Sequence, residues 1–307
     1  MDINQQKVEW LMRLQHIFQA KNIVELKDDL YEKLDLLIYL HEILAEQKTS
    51  LKDNEQFLES LIVKFYLHGL TIHQITSGYK ANSKYLNPEK ISNFTFIDIP
   101  SLLTVGRAQL ESLLMYQHLY VNTLDYDEQI LRYHTWIYTA LIQRLNMPRR
   151  ENFDDFKLEE TKREIAEIKI KITSCPAYNK LSDKQKIGLL EKGTAKSFRT
   201  WDQIFKDSNF NKNGTVEKFY YLQSAYAHSE GLAGLQLKHN KYSISSEANQ
   251  QWIWLQVLTS WFFTATMIEN LVARFPPIEK EYLKVDDKIK FEIGFLNRVL
   301  KNNEPIA

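Results

Sequence analysis

One cysteine, Cys175, stands among 307 residues, which excludes internal disulfides, cysteine-rich zinc sites and CxxC redox chemistry. Glycine and proline are scarce, at nine and seven, so a turn-rich all-β architecture is disfavoured. Neither sign of charge is in excess. Lys+Arg and Asp+Glu are 39 each, so no chain-wide field draws the molecule onto nucleic acid or anionic lipid. A long hydrophobic run is also missing. The most apolar stretch, Trp252–Met267, is shorter than the ~20 residues of a membrane span, and Gln256, Thr259, Ser260 and Thr264 interrupt it. The opening MDINQQKVEW has neither the basic nor the apolar region of a signal peptide. A cytoplasmic protein with no membrane partner is expected, and a lone thiol fits a reducing compartment.

What the chain does have is apolar residues at helical spacing almost throughout. With 44% hydrophobic and 25% charged residues it reads as globular. The spacing predicts helices over about 4–20, 22–47, 54–77, 101–123, 127–145, 154–175, 182–192, 199–206, 215–229, 247–274 and 279–302. The second carries Leu26, Leu30, Leu34, Leu37 and Leu44 on one stripe. Between Gly78 and Pro100 the period breaks. Asn87-Pro88 and Asn93 signal turns there, and Phe94-Thr-Phe-Ile reads as a short extended piece. The expected fold is all-α: a multi-helix bundle with an N-terminal helical extension. Residues 1–79 would be an N-terminal helical region, 80–99 a connection and 100–307 the bundle.

Several motif readings fail on chemistry. Asp207–Gly214, DSNFNKNG, looks like a calcium loop, but one register puts Lys212 at the required glycine and the other puts Tyr220 at the bidentate glutamate. His68 and His73 lie about 140° apart on a helix and do not share a metal. HExxH, GxGxxG, GxxxxGK[ST] and GxSxG are absent, and nothing in the pattern asks for a cofactor or a metal. Between Lys180 and Arg199 six cations face two anions, beside Phe198 and Trp201. That segment reads either as a phosphate-contacting, base-stacking stretch or as a solvated loop.

The informative residues are polar ones on apolar helices. In LLTVGRAQLESLLMYQHLYV, Arg107, Glu111 and His118 fall on one line at i, i+4 and i+11. In TVEKFYYLQSAYAHSEG, Glu217, Tyr221, Ser224 and His228 form a second stripe. Arg132, in LRYHTWIYTAL, is another cation among aromatic residues. A mid-helix Ser224 has neither the sharp turn nor the oxyanion hole of a nucleophile, even with His228 one turn away. Misplaced polar stripes cost least when they face each other, so His228 is expected within about 8 Å of Arg107 or Glu111.

The Arg107-x3-Glu111 helix, the following helix with Arg132, and Ser224-Ala-Tyr-Ala-His228-Ser229 together resemble a family of uncharacterised bacterial all-helical proteins. That family is itself similar to the HEPN-like and abortive-infection group. The resemblance covers roughly residues 95–273. It implies a cytoplasmic helical bundle of a phage-defence or toxin–antitoxin system, with RNA or a partner protein as its partner and a homodimer as its assembly. HEPN ribonucleases resemble one another in an Arg-x(4–6)-His motif. Here no arginine precedes His228 at that distance, so Arg107 would have to meet it in space. On this reading Arg107, Glu111 and His228 are the catalytic set. Arg132, Tyr221 and Ser224 are the binding residues. The alternatives are a non-catalytic helical interaction module and a small-molecule-binding bundle lined by Trp252, Trp254, Trp261, Phe262 and Phe263.

Overall fold

The structure, a computed structural model, describes residues 3–46, 51–80, 95–122, 125–147, 155–191, 199–208, 210, 214–228, 230–239 and 243–301. The expected turns at Asn87-Pro88 and Asn93, the Pro148–Arg150 and Lys192–Phe198 segments, most of the Asn209–Asn213 loop, and Asp154 and Ser229 lie outside the described residues. Of the described residues 84% are helical, so the chain is an all-α multi-helix bundle. None of the described helices is long and apolar enough to cross a membrane.

The helices are α1 (Ile3–Ala20), α2 (Ile23–Glu46), α3 (Leu58–Ile75), α4 (Ile99–Tyr120), α5 (Tyr126–Leu145), α6 (Asp155–Ser174), α7 (Pro176–Asn179), α8 (Asp183–Leu190), α9 (Trp201–Asp207), α10 (Thr215–Ala227), α11 (Gly231–His239), α12 (Glu247–Arg274), α13 (Pro276–Tyr282) and α14 (Asp287–Lys301). The extended piece expected near Phe94 is a two-residue strand, β2 (Thr95–Phe96), antiparallel to β1 (Tyr79–Lys80) with Tyr79 opposite Phe96. Gly78 leads into β1 at φ 69°, where a Cβ would come within 2.7 Å of the Phe96 carbonyl.

The chain folds as two compact units. Met1–Leu51, Leu58–Leu113 and Phe210–Ala307 make unit 1; Lys52–Phe57 and Leu114–Asn209 make unit 2. In unit 1 the long α12 is the central element, packed along α2, α3, α13 and α14. Ser246 caps its start by accepting from the Asn249 amide. The α2 stripe of Leu26, Leu30, Leu34, Leu37 and Leu44 is buried, as its spacing required, and so are Leu58, Ile62, Phe65 and Ile72 of α3. Trp261 and Phe263 of α12 are core side chains, tilted against Phe18 and Phe210. Phe262 stacks on Phe18, and Trp252 meets Tyr226 edge-on.

Two elements differ from the sequence reading: α11 (Gly231–His239) lies where no helix was expected, and the last predicted helix is divided. Phe275-Pro-Pro ends α12, but the two prolines also open α13, where the missing N–H costs nothing. The helix expected over 279–302 is therefore two, α13 and α14. In unit 2, α5 and α6 pack together, and Leu131, Tyr138, Ile172, Cys175, Ala177 and Leu189 form the core. Leu158, Ile165 and Ile168 stay half-buried, which fits the narrow stripe of α6. Cys175 caps α7 and donates its thiol to the Asp127 carbonyl at 3.3 Å.

Candidate functional site

Arg107 sits on the first half of α4, in unit 1. Its neighbour Gly106 carries no side chain for a packing reason: a Cβ there would lie 2.3–2.4 Å from the amide group of Gln256 on α12. Gln256 in turn accepts from Gln223 Nε2 of α10 at 2.9 Å, and both glutamines are fully buried. A bonded amide pair in the core thus joins α10 to α12, and Gly106 of α4 packs against it, one residue before Arg107.

At Arg107 the expected meeting occurs. Arg107 Nη1 lies 3.0 Å from His228 Nε2. A guanidinium only donates, so this contact belongs to the neutral imidazole with its proton on Nδ1. Arg107 Nε donates to Glu111 Oε1 at 3.0 Å, one helical turn on. Arg107 Nη2 donates to the Tyr220 hydroxyl at 3.4 Å, and that hydroxyl donates to Glu111 Oε1 at 3.0 Å. The guanidinium also lies 5.2 Å from the Tyr220 ring centroid, on its face. Burial, and then the Glu111 carboxylate, push the Tyr220 hydroxyl up to about 12, so it stays protonated. The set is not a closed core pair. The Arg107 and Glu111 side chains are 17% and 29% exposed, and His228 is exposed.

Tyr220 is the member that sequence reasoning missed. The helical wheel puts Tyr221, not Tyr220, in line with His228. The wheel fails because His228 is not helical: it is the C-cap of α10, at φ −101° and ψ 7°. Tyr221 instead points out at 51% exposure, with its ring edge-on to Tyr220. Ser224 donates its hydroxyl to the Tyr220 carbonyl, four residues back in its own helix.

The structure does not bring Arg132 or His118 to this site. Both belong to unit 2. Arg132 is 2% exposed and each of its three nitrogens is bonded: Nε and Nη2 donate to Glu128 Oε1 at 3.1 and 2.6 Å, and Nη1 to the His118 carbonyl at 2.8 Å. His118 is 1% exposed. Burial, with Arg132 and Arg199 nearby, pushes its pKa down to about 3 from 6.5. The unfolded chain therefore binds a proton below pH 6.5 that the folded chain refuses, and stability falls as pH drops through that range. The loss from this group is about 2 kcal/mol at pH 5. His118→Gln should flatten that slope, read as a smaller difference between the melting temperatures at pH 7 and pH 5. An equal difference in the variant would remove His118 as its source.

No family model, no curated protein and no solved structure matches this chain. The functional reading therefore rests on the chemistry of the Arg107–Glu111–Tyr220–His228 set.

Proposed function

We propose that this protein is a HEPN-like ribonuclease, a cytoplasmic component of a phage-defence or toxin–antitoxin system, that cleaves RNA without a metal at the Arg107–His228 site. The observation that carries the reading is a solvent-reachable imidazole held 3.0 Å from a guanidinium. Catalysis by transfer of a proton to or from a phosphodiester needs both groups together, whatever their order in the chain. His228 Nε2 leaves Arg107 and takes the proton of a ribose 2′-hydroxyl. The 2′ oxygen forms a bond to phosphorus, the bond to the 5′ oxygen breaks, and the 5′ oxygen takes a proton from solvent. The products are a 2′,3′-cyclic phosphate and a 5′-hydroxyl end. Arg107 turns its freed N–H groups to the charge that develops on the phosphoryl oxygens. Glu111 and Tyr220 keep that guanidinium in place.

The test is a synthetic RNA oligonucleotide incubated with the purified protein in EDTA. Cleavage is expected to persist in the chelator, to yield the cyclic phosphate, and to stop when the cleaved position is 2′-deoxy. A homodimer as the active species would show as cleavage confined to the dimer fraction of a size-exclusion run. One feature favours a second reading. Glu111 and Tyr220 already satisfy Arg107, as they would in a pair that only sets helix register. An intact RNA substrate at every protein concentration would leave that non-catalytic interaction module in place of the ribonuclease.

A further inference from the structure

Unit 2 contains a cleft of about 460 Å³ walled by α5, α7, α8 and the segment from Arg199 through α9. We propose that this cleft binds a small organic phosphomonoester, a molecule of mononucleotide size held through its phosphate by Arg199, Lys180 and Lys206. The inference does not depend on RNA cleavage in unit 1.

The argument starts at Glu128, on the cleft wall. Its Oε1 accepts from Arg199 Nη2 at 2.8 Å as well as from both Arg132 donors. Two guanidiniums thus share one carboxylate oxygen. Although Arg199 also meets Asp207, the two guanidiniums converge on one oxygen with like charge, and another anion relieves their repulsion. The strain registers on Arg199, which burial and then the charge of Arg132 hold below the ordinary arginine value. Arg132 is buried, so its charge is fixed in place. With it counted, four cations (Arg132, Lys180, Arg199, Lys206) face three carboxylates (Asp125, Glu128, Asp207).

The donors left over suit a phosphate. A guanidinium has five N–H groups. Among the described residues Arg199 uses one on Glu128 and one on Asp207, which leaves three. Lys180 reaches Asp125 at 3.2 Å from a side chain that is 68% exposed, and Lys206 is exposed. Both lysines have the reach and freedom to close on a bound anion. A monocarboxylate ligand would only duplicate the bond that Asp207 already makes. A phosphomonoester brings nearly two charges and three oxygens, enough for Arg199 and both lysines at once. The organic body has a surface of its own: Leu131, Ala177 and Leu181 are apolar, with the amides of Gln185 and Gln203 beside them. The volume lies within the ~300–1,000 Å³ of small-molecule pockets, which fits one such molecule better than a strand. This places a use on the cation-rich segment after Lys180, of which Lys180 and Arg199 are the described ends on the cleft.

Isothermal titration calorimetry at low salt tests the assignment, with adenosine monophosphate, ribose 5-phosphate, inorganic phosphate and adenosine as probes. The two phosphomonoesters are expected to bind, inorganic phosphate more weakly, and adenosine not at all. Arg199→Gln and Lys206→Glu should each weaken the esters at least about tenfold, since each removes a charge-assisted bond. Lys206 is exposed, so its variant folds whatever becomes of Arg199. Three results would overturn the proposal: no heat from either ester at millimolar concentration, adenosine binding as tightly as its monophosphate, or unchanged binding in Lys206→Glu. None of these touches the RNA assay, which reads cleavage by His228 in the other unit.

Discussion

Replacing Glu292 by alanine should destabilise unit 1 by about 3–5 kcal/mol, the loss expected when one partner of a buried ion pair is removed. Glu292 on α14 is fully buried, and so is Lys33 on α2, which donates to Glu292 Oε2 at 2.5 Å. Glu292 Oε1 accepts from Arg13 Nη1 of α1 at 2.8 Å, and Arg13 Nη2 donates to Asp29 Oδ1 at 2.6 Å. Three helices are therefore tied through one carboxylate. Without it, Arg13, whose side chain is 31% exposed, keeps Asp29 and meets water. Lys33 cannot do the same. It is left with Glu32 alone, a residue whose own side chain is 42% exposed. The cost is thus that of an ammonium stranded in the core, and it should lower the melting temperature by the order of 10 °C. Two further variants separate this from a simple cavity. Arg13→Ala should cost less than Glu292→Ala but more than loss of a surface pair, because Glu292 keeps Lys33 while Asp29, 5% exposed, loses its cation. Lys33→Met with Glu292→Leu should recover most of the loss, because apolar side chains of similar size often replace a buried pair without penalty. The carboxylates of Asp29, Glu32 and Glu292 lie close enough to hold a cation. Lys33 and Arg13 already fill that role. A loss below about 1 kcal/mol in Glu292→Ala would show that Lys33 finds water, and the account of the cluster would fall.

What the sequence made legible is what periodicity controls. The leucine stripe of α2 and the narrow stripe of α6 follow from local spacing, and both elements are where that spacing put them. The convergence of Arg107 and Glu111 with His228 was also readable, because two polar stripes on apolar helices have few inexpensive places to go. The ion cluster was not. Lys33 and Glu292 are separated by 259 positions, and each alone looks like an ordinary charge on an amphipathic helix. Nothing local marks Lys33, flanked by Leu30 and Leu34, as buried rather than snorkelling. Tyr220 was hidden for a different reason, since a C-cap residue no longer obeys the helical wheel that the reading applied to it. His118 shows the limit of the wheel along a helix. It shares a line with Arg107, yet three turns on it belongs to unit 2 and is buried beside Arg132 and Arg199.

His228→Asn should lower RNA cleavage about 100- to 10,000-fold, the range for loss of a general acid or base, while leaving the fold intact. The fold should hold because His228 is exposed and lies beyond the last helical residue of α10, where its backbone N–H donates to the Ser224 carbonyl. Asparagine keeps that bond and offers a neutral side chain that cannot take up a proton. Arg107→Lys is the companion. It keeps one positive charge, but a lysine cannot bond Glu111, Tyr220 and a phosphate in the fixed directions of a guanidinium. A loss of about 100- to 1,000-fold is expected if Arg107 stabilises charge in the transition state. Its stability loss should stay within about 1 kcal/mol, because the Arg107–Glu111 pair is part-exposed and screened. The two variants should not add. Arg107 and His228 are in contact, so the double variant should be little worse than the poorer single one. Multiplied losses would mean that they act separately. Cleavage unchanged in His228→Asn would leave Arg107 as a structural anchor and end the ribonuclease assignment at this site.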